Sequence, residues 1–418
     1  MKNNRRNFLK TGAGLGALSF VPEGLRAAAD KAGELAAQLD RAMAAPVLRT
    51  EFFKQPVQIE RIELLKNGKQ FLVRVRAHDG AMGVAAGHGS VLSSTYPILL
   101  NRVIPSFVGQ DARELESLLR SVYLRDSNYK WQGLAFWVCV ACTEIAILDL
   151  LGQVAGKPMG ELLGGVVRPR VAVYRASGNR GNTPEQEIEY LKKIVAETGA
   201  KAIKFRLGAR MRYDEASTKR DLALVPLTRK TFGERMTIYA DANGSYDVPM
   251  AVRVGRLLEE YRFGFFEEPV PFDYHDETKQ VADALKIPIA LGEQEGSLRS
   301  FRSIIERNVA RVVQPDLLYF GGLIRSVKVA RMAAAAGRDC TPHMSGGDLG
   351  YLYVAHFASC VPNAGPHQEY KGEEETLPVT CETSSLKSEH GILKVPTGPG
   401  LGVTIDPEFI RKAAVVSL

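Results

Sequence analysis

Residues 237–244 read TIYADANG, residues 263–270 FGFFEEPV and residues 287–294 IPIALGEQ. Each is a short apolar run ending in a carboxylate, Asp241, Glu267 and Glu293, with 26 residues between neighbours. The same design recurs on both sides. Upstream, AIKFRLG (202–208) carries Lys204; downstream, VVQPDLLYFGG (312–322) carries Asp316, CTPHMSGG (340–347) His343 and HQEY (367–370) Glu369. The steps from Lys204 to Glu369 are 37, 26, 26, 23, 27 and 26 residues, each about one strand plus one helix. Parallel strands buried on both faces read as continuous apolar runs. Helical stretches such as PEQEIEYLKKIVAETG (184–199) and VPMAVRVGRLLEEYR (248–262) lie between them. Counting from VAVYRAS (171–177), eight runs are present, the number that closes a (β/α)8 barrel. Such a barrel gathers its strand ends around one mouth, so seven polar side chains are expected to converge there.

Three carboxylates around one point repel unless a cation joins them. Asp241, Glu267 and Glu293 are therefore read as a divalent metal site. Its all-oxygen donor set suits magnesium, which keeps coordination places for water or substrate. Asn243 is placed to support Asp241, and Glu268, next to Glu267, is expected to point elsewhere. Lys204 and Arg206 alternate on one strand and share a side. A lowered pKa would make Lys204 a proton-transfer group. Arg206 stays protonated and is read as orienting the substrate or holding charge. Asp316, one strand before His343, is placed to accept the imidazole proton and raise its basicity. Glu369 is a candidate proton donor to a developing oxyanion.

Outside the barrel run, VQIERIELL (57–65), QFLVRVRA (70–77) and MGVAAG (82–87) are separated by Asn67-Gly68 and Asp79-Gly80, which are hairpin signals. Helical sequence follows to Gly165. Strands followed by helices predict an α+β capping domain over residues 51–165. The barrel is assigned 166–385, and a Gly/Pro-rich tail, 386–418, is expected to return to the cap. Residues 30–50 read as a linker or a helix. The N-terminus, NNRRNFLKTGAGLGALSF, holds Arg5-Arg6 before a short apolar run and Ala27-Ala28-Ala29. It resembles a twin-arginine export signal over residues 1–29, which predicts the export machinery as a partner and a periplasmic or exported protein. The apolar run is too short to remain as a membrane anchor in the mature form.

The formal charge is +7, about +3 once that basic segment is set aside, and no basic block is interleaved with aromatics, which argues against a nucleic-acid partner. Five cysteines spread over 418 residues do not form a disulfide framework, and Cys139 and Cys142 read as buried helix thiols.

From about residue 51 to the end, the chain resembles the enolase superfamily, mandelate racemase subgroup. The resemblance rests on AILDLLGQVAGKPMGELLGG (146–165), the DAN, EEP and GE ligand motifs, QPD, and the histidine one strand later. It implies a cap closed over a modified barrel, one magnesium ion on Asp241, Glu267 and Glu293, a His343–Asp316 dyad and Glu369 as electrophilic acid. It also implies a small carboxylate substrate, a sugar acid, and a homo-oligomer. Cap residues 79–96 would form the loop that meets the distal end of the substrate, with His88 a contact. One position departs from the subgroup. Arg206 stands where a second lysine acts as base, which weighs against two-base racemisation and leaves dehydration open. The expected activity is a magnesium-dependent dehydration giving a 2-keto-3-deoxy acid. An epimerase, racemase or cycloisomerase on the same enolate chemistry, and a non-catalytic carboxylate-binding barrel, stand as alternatives.

Overall fold

The computed structural model describes residues 23–370 and 377–418, with side chains described from residue 31 onward. Helix α1 (Glu23–Ala44) comes first, so the stretch read as a linker or helix is helical up to Ala44. It packs against barrel helices rather than bridging two domains, and Arg302 Nε donates to Asp40 at 3.0 Å across that contact. The twin-arginine motif lies outside the described residues, and a cut near Ala29 would fall inside α1.

The cap follows. Strands β1 (Ile59–Asn67), β2 (Gln70–Ala77) and β3 (Met82–Ala86) form an antiparallel meander. Gly68 takes φ +59 at the first turn, a value glycine adopts at little cost. Three long α-helices join the meander in the cap: α2 (Gly89–Ile98), α3 (Leu115–Leu124) and α4 (Leu134–Ala155). Helix α4 is apolar all round, and by length and composition it could cross a membrane, yet almost all of it is buried. Such a helix is the core of its domain. It lies so close to the sheet that a Cβ at Gly83 would meet Ala146 O and Leu150 N at 2.2 Å. Cys139 and Cys142 sit inside α4, where burial pushes their thiols up to about 11 and about 12.

Eight parallel strands make the barrel: β4 (Arg170–Ala176), β5 (Ala202–Arg206), β6 (Thr237–Asp241), β7 (Phe266–Glu267), β8 (Ile289–Leu291), β9 (Val312–Val313), β10 (Asp339–Cys340) and β11 (Gln368–Tyr370). Closure comes from β11 pairing with β4, Glu369 opposite Tyr174. Helices alternate with the strands: α5 (Pro184–Thr198), α6 (Glu215–Phe232), α7 (Val248–Glu260), α8 (His275–Ala284), α9 (Leu298–Glu306), α10 (Leu323–Ala335) and α11 (Gly350–Cys360). The sequence sets their ends locally. Thr183 and Gln186 form a capping box around Pro184 at the start of α5, and Gly199 at φ +62 ends it. Among the described residues no such helix follows β11; the tail takes its place. Its strand β12 (Ile392–Lys394) pairs with β4 of the barrel, and its final strand β13 (Ala414–Val415) pairs with β1 of the cap. The tail therefore returns to the cap, as the sequence reading expects, and on the way it also adds a strand to the barrel sheet.

Candidate active site

The strand ends meet in a cavity of about 340 Å³ at the barrel mouth, lined by Arg206, Asn243, Glu268, Glu293, Tyr319 and His343 among others. That is the low end of the range for small-molecule sites. Asp241, Glu267 and Glu293 are buried, and each offers a carboxylate oxygen within 4.8 Å of the others, an arrangement that could hold a metal. Glu267 Oε1 and Glu293 Oε2 have no hydrogen-bond partner. Leaving buried carboxylate oxygens unmatched is costly, so the set fits a cation.

The neighbours of the triad supply the remaining charge balance. Lys204, fully buried, reaches Glu267 Oε2 at 2.7 Å and lies 3.8 Å from both Asp241 Oδ2 and Glu369 Oε1. Burial pulls its pKa down, but the charges of Glu267, Tyr174 and Glu369 outweigh it and hold the pKa above the ordinary lysine value. Without a cation on the triad the direction is opposite to the lowering expected beside a metal-bound carboxylate, because the side chain faces acids from several strands at once. Arg206 Nη1 pairs with Asp241 Oδ2. Asn243 donates from its backbone to Asp241 Oδ1 at 2.7 Å and from its side chain to Oδ2 at 3.3 Å.

Across the mouth, His343 Nδ1 lies 2.6 Å from Asp316 Oδ2. Asp316 also accepts from the backbone of Leu318 and Tyr319 and from Ser345 N and Oγ. Asp316 Oδ2 accepts from Nδ1 of His343, so the Nδ1 proton points to it and Nε2 faces the cavity. Nε2 is 3.3 Å from Glu293 Oε2 and 3.7 Å from Glu369 Oε2. Burial lowers the imidazole pKa, but Glu293, Glu369 and Asp316 raise it to about 9 overall. Glu369 accepts from Met344 N at 3.1 Å.

The structure therefore gathers Lys204, Arg206, Asp241, Asn243, Glu267, Glu293, Asp316, His343 and Glu369 at one mouth. His88 stands behind the lining: it stacks on Tyr319, ring centroids 5.7 Å apart, with Nε2 3.3 Å from the tyrosine hydroxyl. The expected cap loop 79–96 is mostly β3 and α2, because the meander needs the third strand. Glu268, expected to point elsewhere, lines the cavity instead, where its Oε2 accepts from Asn243 Nδ2 at 3.4 Å. Strand β7 ends at Glu267, so alternation no longer applies, and Glu268 takes φ +40. Burial, with Glu293 and Glu267 beside it, pushes its pKa well above the carboxylate range. Arg180, Arg210, Met211 and Ser345 were also missed; they sit on loops whose paths no periodicity encodes.

Residues 43–164 match the Mandelate racemase / muconate lactonizing enzyme N-terminal domain, and residues 186–409 match the Enolase C-terminal domain-like family. The chain belongs to the mandelate racemase/muconate lactonizing family of the enolase superfamily. Its relatives in this family include an arabinonate dehydratase of Saccharolobus solfataricus, 28% identical over 79% of this chain and 87% of the relative. A D-galactonate dehydratase of Ralstonia nicotianae is 30% identical over 72% of this chain and 80% of the relative. A crystal structure of a mandelate racemase/muconate lactonizing protein from Paracoccus denitrificans, complexed with magnesium, superposes with a TM-score of 0.78 at 26% identity, covering 86% of this chain and 99% of that one. Family membership agrees with a barrel beneath an N-terminal cap and with an enzyme's site at the strand ends.

Proposed function

We propose that this enzyme dehydrates a sugar acid, removing the proton α to a carboxylate and expelling the β-hydroxyl to give a 2-keto-3-deoxy acid. The observation that carries this reading is the His343–Asp316 pair facing the same cavity as the buried triad of Asp241, Glu267 and Glu293. Relatives named as dehydratases of arabinonate and galactonate support it. Asp241, Glu267 and Glu293 would hold magnesium, an assignment favoured by their all-oxygen donor set and the magnesium complex of the Paracoccus denitrificans relative. Bound there, the ion would supply Lewis-acid stabilisation of the negative charge that grows on the substrate carboxylate.

The chain's own residues do the rest. Asp316 fixes the His343 tautomer, and a cation held by Glu293 would offset the charge that raises the imidazole, so that Nε2 takes the α-proton. The electron pair of the broken C–H bond forms a C=C bond as the β C–O bond breaks. His343 returns the proton to the departing hydroxyl, which leaves as water, and the enol product tautomerises to the ketone. Lys204 stays charged beside the carboxylates, where it favours the anionic form of a bound acid. Glu369, within reach of both Lys204 and His343, donates to the developing oxyanion. Arg206 offers no second base on the opposite face, so a single-base elimination is favoured over racemisation. Export through Arg5-Arg6 and homo-oligomeric assembly belong to the same reading; loss of export from an Arg5→Lys, Arg6→Lys variant would test the first.

The test is a panel of mono- and diacid sugars with magnesium-loaded protein, read as α-keto acid formation. The expected hit disappears with EDTA and in His343→Asn, whose fold persists. Turnover retained by His343→Asn would remove histidine from the base role. Exchange of the α-proton in deuterated water without loss of water would point to an epimerase or cycloisomerase. Tight binding without exchange would point to a carboxylate-binding barrel.

A further inference from the structure

The cationic side of the cavity holds more positive charge than one substrate carboxylate uses. Arg206 on β5 and Arg210 in the loop after it both line the cavity wall, and Arg180, in the loop after β4, reaches the same side by donating to Asn243 Oδ1. Arg206 is 7% exposed, and its Nε, like that of Arg180, is buried with no hydrogen-bond partner. Among the described residues the acid paired with Arg206 is Asp241, which the metal would also claim. Arg210 has no acidic partner among the described residues. Arg180 is pushed down to about 10, by burial first and then by the charges of Arg206, Arg210 and Arg220, which places these guanidiniums within electrostatic reach of one another.

The backbone holds this arrangement at a cost. Arg210 and Met211 are consecutive left-handed residues, φ +55 and +59. Non-glycine residues in that region persist only where surroundings over-determine them, and they gather at functional sites. Here the loop is pinned by Met211 N to Asn243 O and by Ala209 N to Arg212 O, both 2.9 Å. Of the three, Arg206 is buried, Arg180 half-buried and Arg210 exposed, so an anion seated among them would meet Arg206 and Arg180 inside the cavity and Arg210 at its edge, and planar carboxylates match the guanidinium fork.

We infer that the substrate carries a second carboxylate, bound by Arg206, Arg180 and Arg210 on the β4–β5 side of the cavity, so that the acid acted on is a sugar diacid. This rests on the proposed dehydration and narrows it. The reacting carboxylate lies at the triad beside Lys204, and the distal one meets the arginines. It also separates this chain from the relatives named above, whose sugar acids, arabinonate and galactonate, have one carboxylate each.

The test is calorimetric binding of two unreactive six-carbon probes, adipate and hexanoate, to the full-length magnesium-loaded protein. Adipate is expected to bind about tenfold or more tighter, and Arg210→Gln and Arg180→Gln should each shrink that ratio to about threefold or less. Equal binding of the two probes in the wild type, or a ratio unchanged in both variants, overturns the inference. A preference for 3-phosphoglycerate over adipate also overturns it in favour of a phosphate ligand. Dehydration of aldonates but not of aldarates refutes the second carboxylate while preserving the dehydratase. A probe ratio that holds in a protein making no keto acid refutes the dehydratase instead.

Discussion

Helix α4 and the barrel mouth both bury acids, and they use the oxygens in opposite ways. On α4, Glu144 caps barrel helix α10, accepting from Leu323 N at 2.9 Å and Ile324 N at 2.8 Å. Asp149 accepts from Val84 N and Leu401 N, both at 2.8 Å, and so clamps cap strand, cap helix and tail together. Burial pushes these acids up to about 8 and about 6, against the pull of those donors. At the mouth, Glu267 and Glu293 each keep an oxygen without a hydrogen-bond partner, and cations surround the triad. Buried acids whose oxygens are filled by backbone hold parts together. Buried acids with oxygens to spare wait for a ligand.

The comparison can be broken most directly at Glu293. Glu293→Gln should cut kcat/KM by a factor on the order of 10²–10³. The melting temperature should hold or rise, because a crowded charge is removed. A magnesium titration alongside a thermal melt would read both. Glu144→Ala should do the reverse: two orphaned amides cost about 2–4 kcal/mol in denaturant unfolding, with turnover per folded molecule preserved. Loss of activity without loss of stability at Glu144 would collapse the distinction.

Two histidines sharpen the same contrast. His356, fully buried on α11, has Nε2 3.1 Å from Leu401 O of the tail. Burial lowers its pKa to about 4, with that hydrogen bond opposing, whereas acids raise His343 to about 9. A histidine with a depressed folded pKa contributes stability that is present above its unfolded value, near 6.5, and is lost as pH falls through about 4. The His356 contribution should therefore fall by up to about 3 kcal/mol between pH 7 and pH 4, while the raised values of Glu144 and Asp149 act in the opposite direction, so the effect is read as the difference between wild type and His356→Gln in melts across the range. The smallest effect is expected at Asp149→Asn, which keeps one acceptor and orphans one amide, about 1–2 kcal/mol in the same unfolding assay.

Much of the site is legible in the residues themselves. Asp241, Glu267 and Glu293 follow apolar runs at one spacing because each closes a strand buried on both faces, and Asp316 and His343 obey the same rule. What escaped follows from where local period stops. Glu268 turns into the cavity because β7 is two residues long and the next residue is left-handed. Arg180 and Arg210 lie on loops, where side-chain direction depends on contacts such as Met211 N to Asn243 O. The surroundings of Lys204 were not legible locally, because acids 37, 63 and 165 positions away meet it.

The sequence by itself determined the alternation of strands and helices, the cap meander and the identity of the strand-end acids, because hydrophobic period and turn chemistry act within a few residues. Only the tertiary structure decided that β11 closes on β4, that the tail joins barrel and cap, that α1 belongs to the barrel wall, and which buried carboxylate oxygens and guanidinium nitrogens lack a hydrogen bond. Those outcomes depend on groups far apart in the chain, whose burial and pairing are settled when the elements pack.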